Sequence, residues 1–166
     1  MLHKSNIPGV KVVTLEFFSD ERGSVSEMYR MDSDFLYGMK KPEMGYVGYT
    51  NPGVSRGPHE HYTQSDCFVF LGPAEFEVHL WDRRGSNFGT LTIEESLATH
   101  EKFVLGGDTP SVLIIPPFVV HGYRNISSCI GMSLNFPNEL YAGWKKKEIV
   151  DEVRWEKMPN NPFHIE

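Results

Sequence analysis

The chain has 166 residues, 40% of them apolar and 13% aromatic, and carries 16 basic against 22 acidic side chains for a formal charge of −6. That is the length of one ordinary domain over 1–166, able to bury its own core without metal or disulfide staples. The acidic balance argues against a nucleic-acid partner, and no run approaches the roughly 20 apolar residues of a membrane span.

The start of the chain leads into a Pro-Gly turn without an apolar stretch of signal-peptide type, so the cytoplasm is the expected location. Short alternating apolar runs broken by Gly, Pro, Asn and Asp fill the first 140 or so residues, a pattern of strands with hardly a helical window. Residues 10–18 read as a strand, Asp20-Glu21-Arg22-Gly23 as a turn, and 24–30 as its hairpin partner. A helical turn is expected near 34–36, then a strand over 45–50 ended by Asn51-Pro52-Gly53. Residues 66–71 and 75–81 read as an antiparallel pair joined at Gly72-Pro73-Ala74, with Phe76, Val78 and Leu80 on one face and Glu75, Glu77, His79 and Trp81 on the other. Residues 82–87 read as a loop and 88–94 as a returning strand, followed by strands over 102–105, 111–115, 116–123 and 130–136. Only 138–150 suits a short helix, with Asn138 as its cap. About eight to ten strands in one domain predict a barrel or jelly roll, which protects sheet edges. Cys67 and Cys129 lack CxxC spacing and read as inert thiols, and His3, His100 and His164 as solvated residues.

One stretch concentrates the chemistry: Arg56-Gly57-Pro58-His59-Glu60-His61 runs through Gln64-Ser65-Asp66 into an apolar strand. On a strand, a period of two sends His59 and His61 to one face. Asp66 is spaced to reach the same place, and Arg56 is a permanently charged anion fork. Together with His121 these residues would make a three-histidine, one-carboxylate site fit for a divalent metal.

The stretch resembles the first signature of the cupin barrels, with Gly53, His59, His61, Asp66 in place of the usual Glu, and Gly72. Pro116-Pro117-Phe118-Val119-Val120-His121 through Asn125 is similar to the second, with Phe118 in place of Gly. The implied fold is an all-β, cupin-type double-stranded β-helix, or jelly roll. A closer resemblance extends over most of the chain: Asp20-Glu21-Arg22-Gly23 with Glu27, Asn51 through His59, Asp82-Arg83-Arg84-Gly85-Ser86, Ile115-Pro116-Pro117 with His121-Gly122-Tyr123, and Tyr141 followed by Trp155 look like the dTDP-4-dehydrorhamnose 3,5-epimerase family. That resemblance implies a dimeric, metal-free enzyme moving a proton beside the C4 ketone of a dTDP-hexose. It makes His59 the base, Arg22 and Arg56 diphosphate contacts, Glu27, Tyr49 and Asn51 substrate contacts, His121 part of the site wall, and Tyr141 a nucleoside-side aromatic. The lysine and tyrosine acid of the family's pattern fall instead near Ser65 or Asp66 and near Leu134, so His61 or His121 would have to hold the enolate, with Tyr49, Tyr62 and Tyr123 as candidate acids. Arg56 through His61 is also similar to the Arg-Gly-x-His-x-His of the related 3,4-ketoisomerases. A metal-dependent cupin enzyme and a sugar-nucleotide binding module without catalysis are the remaining readings.

Overall fold

A computed structural model describes residues 2–36, 39, 41–86 and 89–165. In chain order its strands are β1 (Leu2–His3), β2 (Lys11–Thr14), β3 (Phe18–Asp20), β4 (Gly23–Val25), β5 (Tyr46–Thr50), β6 (Ser55–Glu60), β7 (Asp66–Leu71), β8 (Glu75–Asp82), β9 (Glu101–Gly106), β10 (Ser111–Ile115), β11 (Val119–Asn125), β12 (Gly131–Asn135) and β13 (Val153–Arg154). Six of them form one sheet in the order β1-β2-β10-β7-β12-β5, five form a second in the order β13-β6-β11-β8-β9, and β3 with β4 makes a separate hairpin.

The two larger sheets share one core. Val12, Phe68, Phe70 and Leu113 from the first meet Phe76, Val78, Leu80 and Val119 from the second, all buried. This is the expected jelly roll. Alternation along each strand decides what enters it: on β7, Asp66 lies on the face of Phe68 and Phe70, while Cys67 and Val69 face a second cluster outside the sheet. On β11, Val119, His121 and Tyr123 share the inner side, and Val120 packs outward with Trp81 and Phe163. The outer face of the first sheet is covered by Leu15, Met28, Tyr29 and Leu36, and that of the second by Trp155, Phe163 and Ile165. Both thiols are free.

Several local expectations are corrected. Residues 10–18 divide into β2 and β3, and the hairpin at Asp20-Glu21-Arg22-Gly23 is only three residues long on each side. β7 and β8 do not pair: β7 lies between β10 and β12, whereas β8 lies between β11 and β9. Residues 72–74 therefore carry the chain from one sheet to the other. Within 88–94, Phe88 lies outside the described residues, Thr90 makes an isolated bridge to Arg84, and helix α1 begins at Ile93 and runs to Leu97. Its start is a capping box, in which the Thr92 hydroxyl accepts from the Glu95 amide at 3.2 Å and the Thr92 amide donates to the Glu95 carboxylate at 2.9 Å. The helix expected over 138–150 does not form. Ala142, Gly143, Lys145 and Lys146 have positive φ, leaving a 3₁₀ turn at Trp144–Lys146. Asn138 is no cap: its side-chain oxygen accepts from the Ser65 amide at 2.6 Å, tying this segment to the start of β7.

Candidate active site

The inner end of the barrel is polar. His59 on β6 and His121 on β11 are cross-strand partners, with ring centroids 4.4 Å apart. The β6–β11 register shifts between His121 and Tyr123, and Gly57 lies there with φ +82°; an added Cβ would come 2.7 Å from the His121 carbonyl oxygen. Such irregularities commonly aim side chains at functional sites. His61 follows β6, its ring centroid 5.6 Å from that of His59 and 5.9 Å from that of His121. Its carbonyl accepts from the Phe118 amide at 2.8 Å, joining the two sequence signatures. Phe118 stands where the second signature has glycine and takes a φ of 59°.

Asp66 is the hub. Its Oδ2 lies 3.1 Å from His121 Nε2 and 3.4 Å from His61 Nε2. Its Oδ1 accepts from Gln64 Nε2 at 2.8 Å and from Asn135 Nδ2 at 2.8 Å. His121 Nδ1 lies 2.9 Å from the Val119 carbonyl oxygen, and His61 Nδ1 contacts that of Asp151. The Asp151 carboxylate accepts from the amides of Tyr62, Thr63 and Gln64 at 2.9, 2.9 and 3.0 Å, fixing the loop between His61 and Asp66. His59, His61, Asp66 and His121 each present one nitrogen or oxygen within 4.8 Å of the others, the spacing of groups able to share a metal ion.

Electrostatics separates the roles. Burial, reinforced by His121, lowers the His59 pKa well below 6.5, so that ring is neutral at pH 7. Burial would lower His61 too, but the Asp66 carboxylate outweighs it and lifts His61 to about 9. Burial alone would raise Asp66; the His121 and His61 contacts hold it well below the usual carboxylate range.

No family model matches the chain. It is 34% identical over 139 residues, 82% of this chain and 81% of the relative, to the probable low-salt glycan biosynthesis epimerase Agl13 of Haloferax volcanii. It is 32% identical over 120 residues, 71% of each chain, to the spore coat polysaccharide biosynthesis protein SpsL of Bacillus subtilis. Among solved structures, the fold matches the dTDP-6-deoxy-D-glucose-3,5-epimerase RmlC of Legionella pneumophila with a TM-score of 0.72 at 19% identity, over 93% of this chain and 76% of that one. It matches the sugar 3,4-ketoisomerase QdtA of Thermoanaerobacterium thermosaccharolyticum with a TM-score of 0.61 at 15% identity, over 89% of each. The chain belongs to one family with this glycan biosynthesis epimerase and this polysaccharide biosynthesis protein, and shares its fold with dTDP-sugar epimerases.

Within that family frame, the residues singled out in the sequence divide. His59, His61, Asp66 and His121 converge. Arg56 sits exposed near the start of β6, donating to the Tyr49 carbonyl at 2.6 Å and to the Thr50 hydroxyl at 2.9 Å. Arg22 is paired with Asp20 at 2.5 Å on the exposed hairpin, and Glu27 with Arg30 at 3.4 Å; neither shows a contact with the cluster among the described residues. Tyr49 lies one position out of phase with Gly48 and Thr50 and so faces away from the barrel interior. Asn51 is exposed in the turn before β6. Tyr141 is half-exposed, near enough to Arg154 to act on its charge, and Arg154 in turn acts on His59. Tyr62 packs on Phe118 at 5.3 Å, and the Tyr123 hydroxyl shares a hydrogen bond with Ser133 at 3.0 Å.

Four residues of the site were not anticipated: Gln64, Asn135, Arg154 and Tyr46. Arg154 faces His59 in the β13–β6 register. Tyr46 faces Asn135 across β5–β12, and its hydroxyl accepts from Asn135 Nδ2 at 3.0 Å. The visible signal for Tyr46 was its alternation with Gly48 and Thr50, which sets it on the inner face.

Proposed function

We propose that the protein is a nucleotide-sugar epimerase, inverting C3, or C3 and C5, of a dTDP-4-keto-6-deoxyhexose in polysaccharide biosynthesis, as a cytoplasmic homodimer. The observation that carries this reading is a half-buried His59 packed against His121 on one sheet, grouped with a buried Asp66 of the other sheet that Asn135 links to the Tyr46 hydroxyl. A histidine from one sheet and a phenol from the other would supply a base and a donor on two sides of a sugar ring. His59 would take the proton from the carbon next to the ketone, and Tyr46 would return one from the facing sheet. The charge developing on the C4 oxygen would fall toward His61 and His121, the side of the cluster where a cation is held against Asp66. Arg56 and Arg154 would grip the diphosphate, since guanidinium groups pair two oxygens at once and fix the sugar's position. A 3,4-ketoisomerase is the second reading, favoured by the close edge-to-face approach of His59 and His121.

Incubation with dTDP-4-keto-6-deoxyglucose in deuterium oxide, followed by NMR, tests both. Exchange and inversion at C3, with or without C5, is expected; His59→Gln should slow exchange by about 10²–10⁴. A new 3-ketone would select the ketoisomerase. Substrate binding without exchange at either carbon would reject catalysis in favour of a binding module.

A further inference from the structure

Alternation along β6 sends His59 into the barrel and Glu60 to the outer face of the second sheet. Glu60 is 1% exposed there. Its Oε1 accepts from the Trp155 indole Nε1 at 3.1 Å and lies 3.4 Å from Arg83 Nε. The Arg83 guanidinium carbon in turn sits 4.9 Å from the centre of the Trp155 ring, within cation–π range. A carboxylate of β6, a guanidinium just past β8 and an indole just past β13 thus close a three-sided contact on the face of the sheet opposite the candidate site.

A buried ion pair is a weak source of stability, because apolar residues of similar size often serve as well or better, and its best-attested use is to fix a register. Glu60 and Arg83, with side chains 2% and 15% exposed, have such a register to fix. β13 is two residues long and pairs with β6 through Val153↔Glu60 and Arg154↔His59. No hairpin turn pins that pairing, since Trp155 and Glu60 lie 95 residues apart. Directly opposed residues share a face, so the observed register puts Arg154 on the side of His59 and Val153 on the side of Glu60. A slip of one residue would reverse them and turn Arg154 out of the cavity.

We propose that Glu60 and Arg83 are positioning residues: they hold Trp155, set the register of β13 and so keep Arg154 on the substrate side, where Glu152 accepts from its Nε at 2.5 Å. The role of Arg154 as a diphosphate contact rests on the sugar-epimerase reading. Glu60 and Arg83 touch neither sugar nor diphosphate and act through Trp155 and Arg154. Asp151 is anchored separately, by the amides of Tyr62, Thr63 and Gln64. Loss of the pair therefore releases Arg154 without freeing His61, and binding suffers rather than proton transfer.

Glu60→Leu combined with Arg83→Met removes both charges and leaves no unpaired ion buried, so this double variant should melt at or above the wild-type Tm. It should raise KM for dTDP-4-keto-6-deoxyglucose by about 10–100-fold, the worth of charge-assisted hydrogen bonds to the diphosphate. Its kcat should stay within about threefold of wild type, the signature of lost binding rather than lost chemistry. Arg154→Ala should raise KM by a similar factor in the wild type and add little in the double variant, because the changes act on one contact. Backbone amide exchange over residues 151–155, measured without substrate, should quicken in the double variant. A packing role alone would lower Tm and leave KM unmoved. That outcome, KM effects that simply multiply, or unchanged amide exchange over 151–155 overturns the positioning role. Should the double variant fail to fold, Glu60→Gln, which keeps the side chain's size, is expected to show the same split between KM and kcat at smaller amplitude, and a wild-type KM in it overturns the proposal. Wild-type protein that takes no deuterium into the sugar removes the epimerase reading, and the amide exchange then decides the anchoring of β13 by itself.

Discussion

Tyr46 owes its place to strand pairing. Directly across the β5–β12 ladder from Asn135, it shares the amide that also steadies Asp66, so one side chain links the carboxylate to the phenol. Its ring is half-exposed while its hydroxyl end is held inside; burial, and then the Asp66 charge, push its pKa up. The phenol therefore keeps its proton at neutral pH and can give it up only to a strongly basic carbon, which suits a donor to an enolate. Tyr46→Phe should leave proton removal by His59 largely intact while inversion falls by about 10²-fold or more. The measured quantity is the ratio of inverted product to deuterium washed in at C3; an unchanged ratio would place the donor elsewhere. His59, His61, Asp66 and His121 were legible in the sequence because short, fixed spacings tie them to two adjoining signatures. Tyr46 and Asn135 were not, since their contact spans 89 residues and depends on which strands pair. Arg22 illustrates the converse: its motif was legible, but Asp20, two residues away, occupies the guanidinium.

Local pattern found most strands and misassigned their partners. A short Gly-Pro connection between 66–71 and 75–81 reads as a hairpin, yet β7 is buried on both faces and takes both neighbours from distant sequence, β10 and β12. The segment over 138–150 failed as a helix for a different reason. Trp144 and Ile149 are 70% and 98% exposed, so no apolar stripe docks it, and helices rest chiefly on such docking. β8 and β9 together carry a titratable stack away from the candidate site. His79 Nδ1 lies 3.0 Å from His100 Nε2, His100 stacks on Trp81 at 4.8 Å, and Glu77 meets His79 at 3.0 Å and Lys102 at 2.9 Å. Burial first, then His79 and Lys102, lower the His100 pKa below 6.5. The unfolded chain then takes up a proton at 6.5 that the folded chain refuses, so this group costs stability as pH falls below 6.5. Glu77, whose pKa Lys102 and His79 lower, loses its contribution only below its ordinary 4.5, a separate window. His100→Gln should accordingly flatten the fall in Tm between about pH 7 and pH 5. The difference would be a few degrees at most, since 1 kcal/mol is worth about 2–4 °C in a domain of this size. Parallel melting curves for the two proteins across that range would exclude the stack as the cause.

At the scale of the whole molecule, both outer sheet faces are covered, one by residues from 15–36 and the other by the C-terminal segment, but the β3–β4 hairpin is not. Phe18 and Val25 face each other across it at 62% and 71% exposure, with Phe17 beside them at 42%. A two-stranded hairpin has marginal stability by itself, and a cross-strand apolar pair left in water contributes little to it. A second copy of the chain, as the family's resemblance implied, would cover the pair and order the hairpin together. Phe18→Ser combined with Val25→Ser should thus shift the protein from dimer to monomer in light scattering coupled to size exclusion. Its core should stay intact, because neither side chain belongs to a buried cluster. If Arg22, at the turn of this hairpin, contacts substrate only within the dimer, the same variant should raise KM for the nucleotide sugar more than it lowers kcat. A double variant that stays dimeric would assign the interface to another surface and leave the hairpin's apolar pair unexplained.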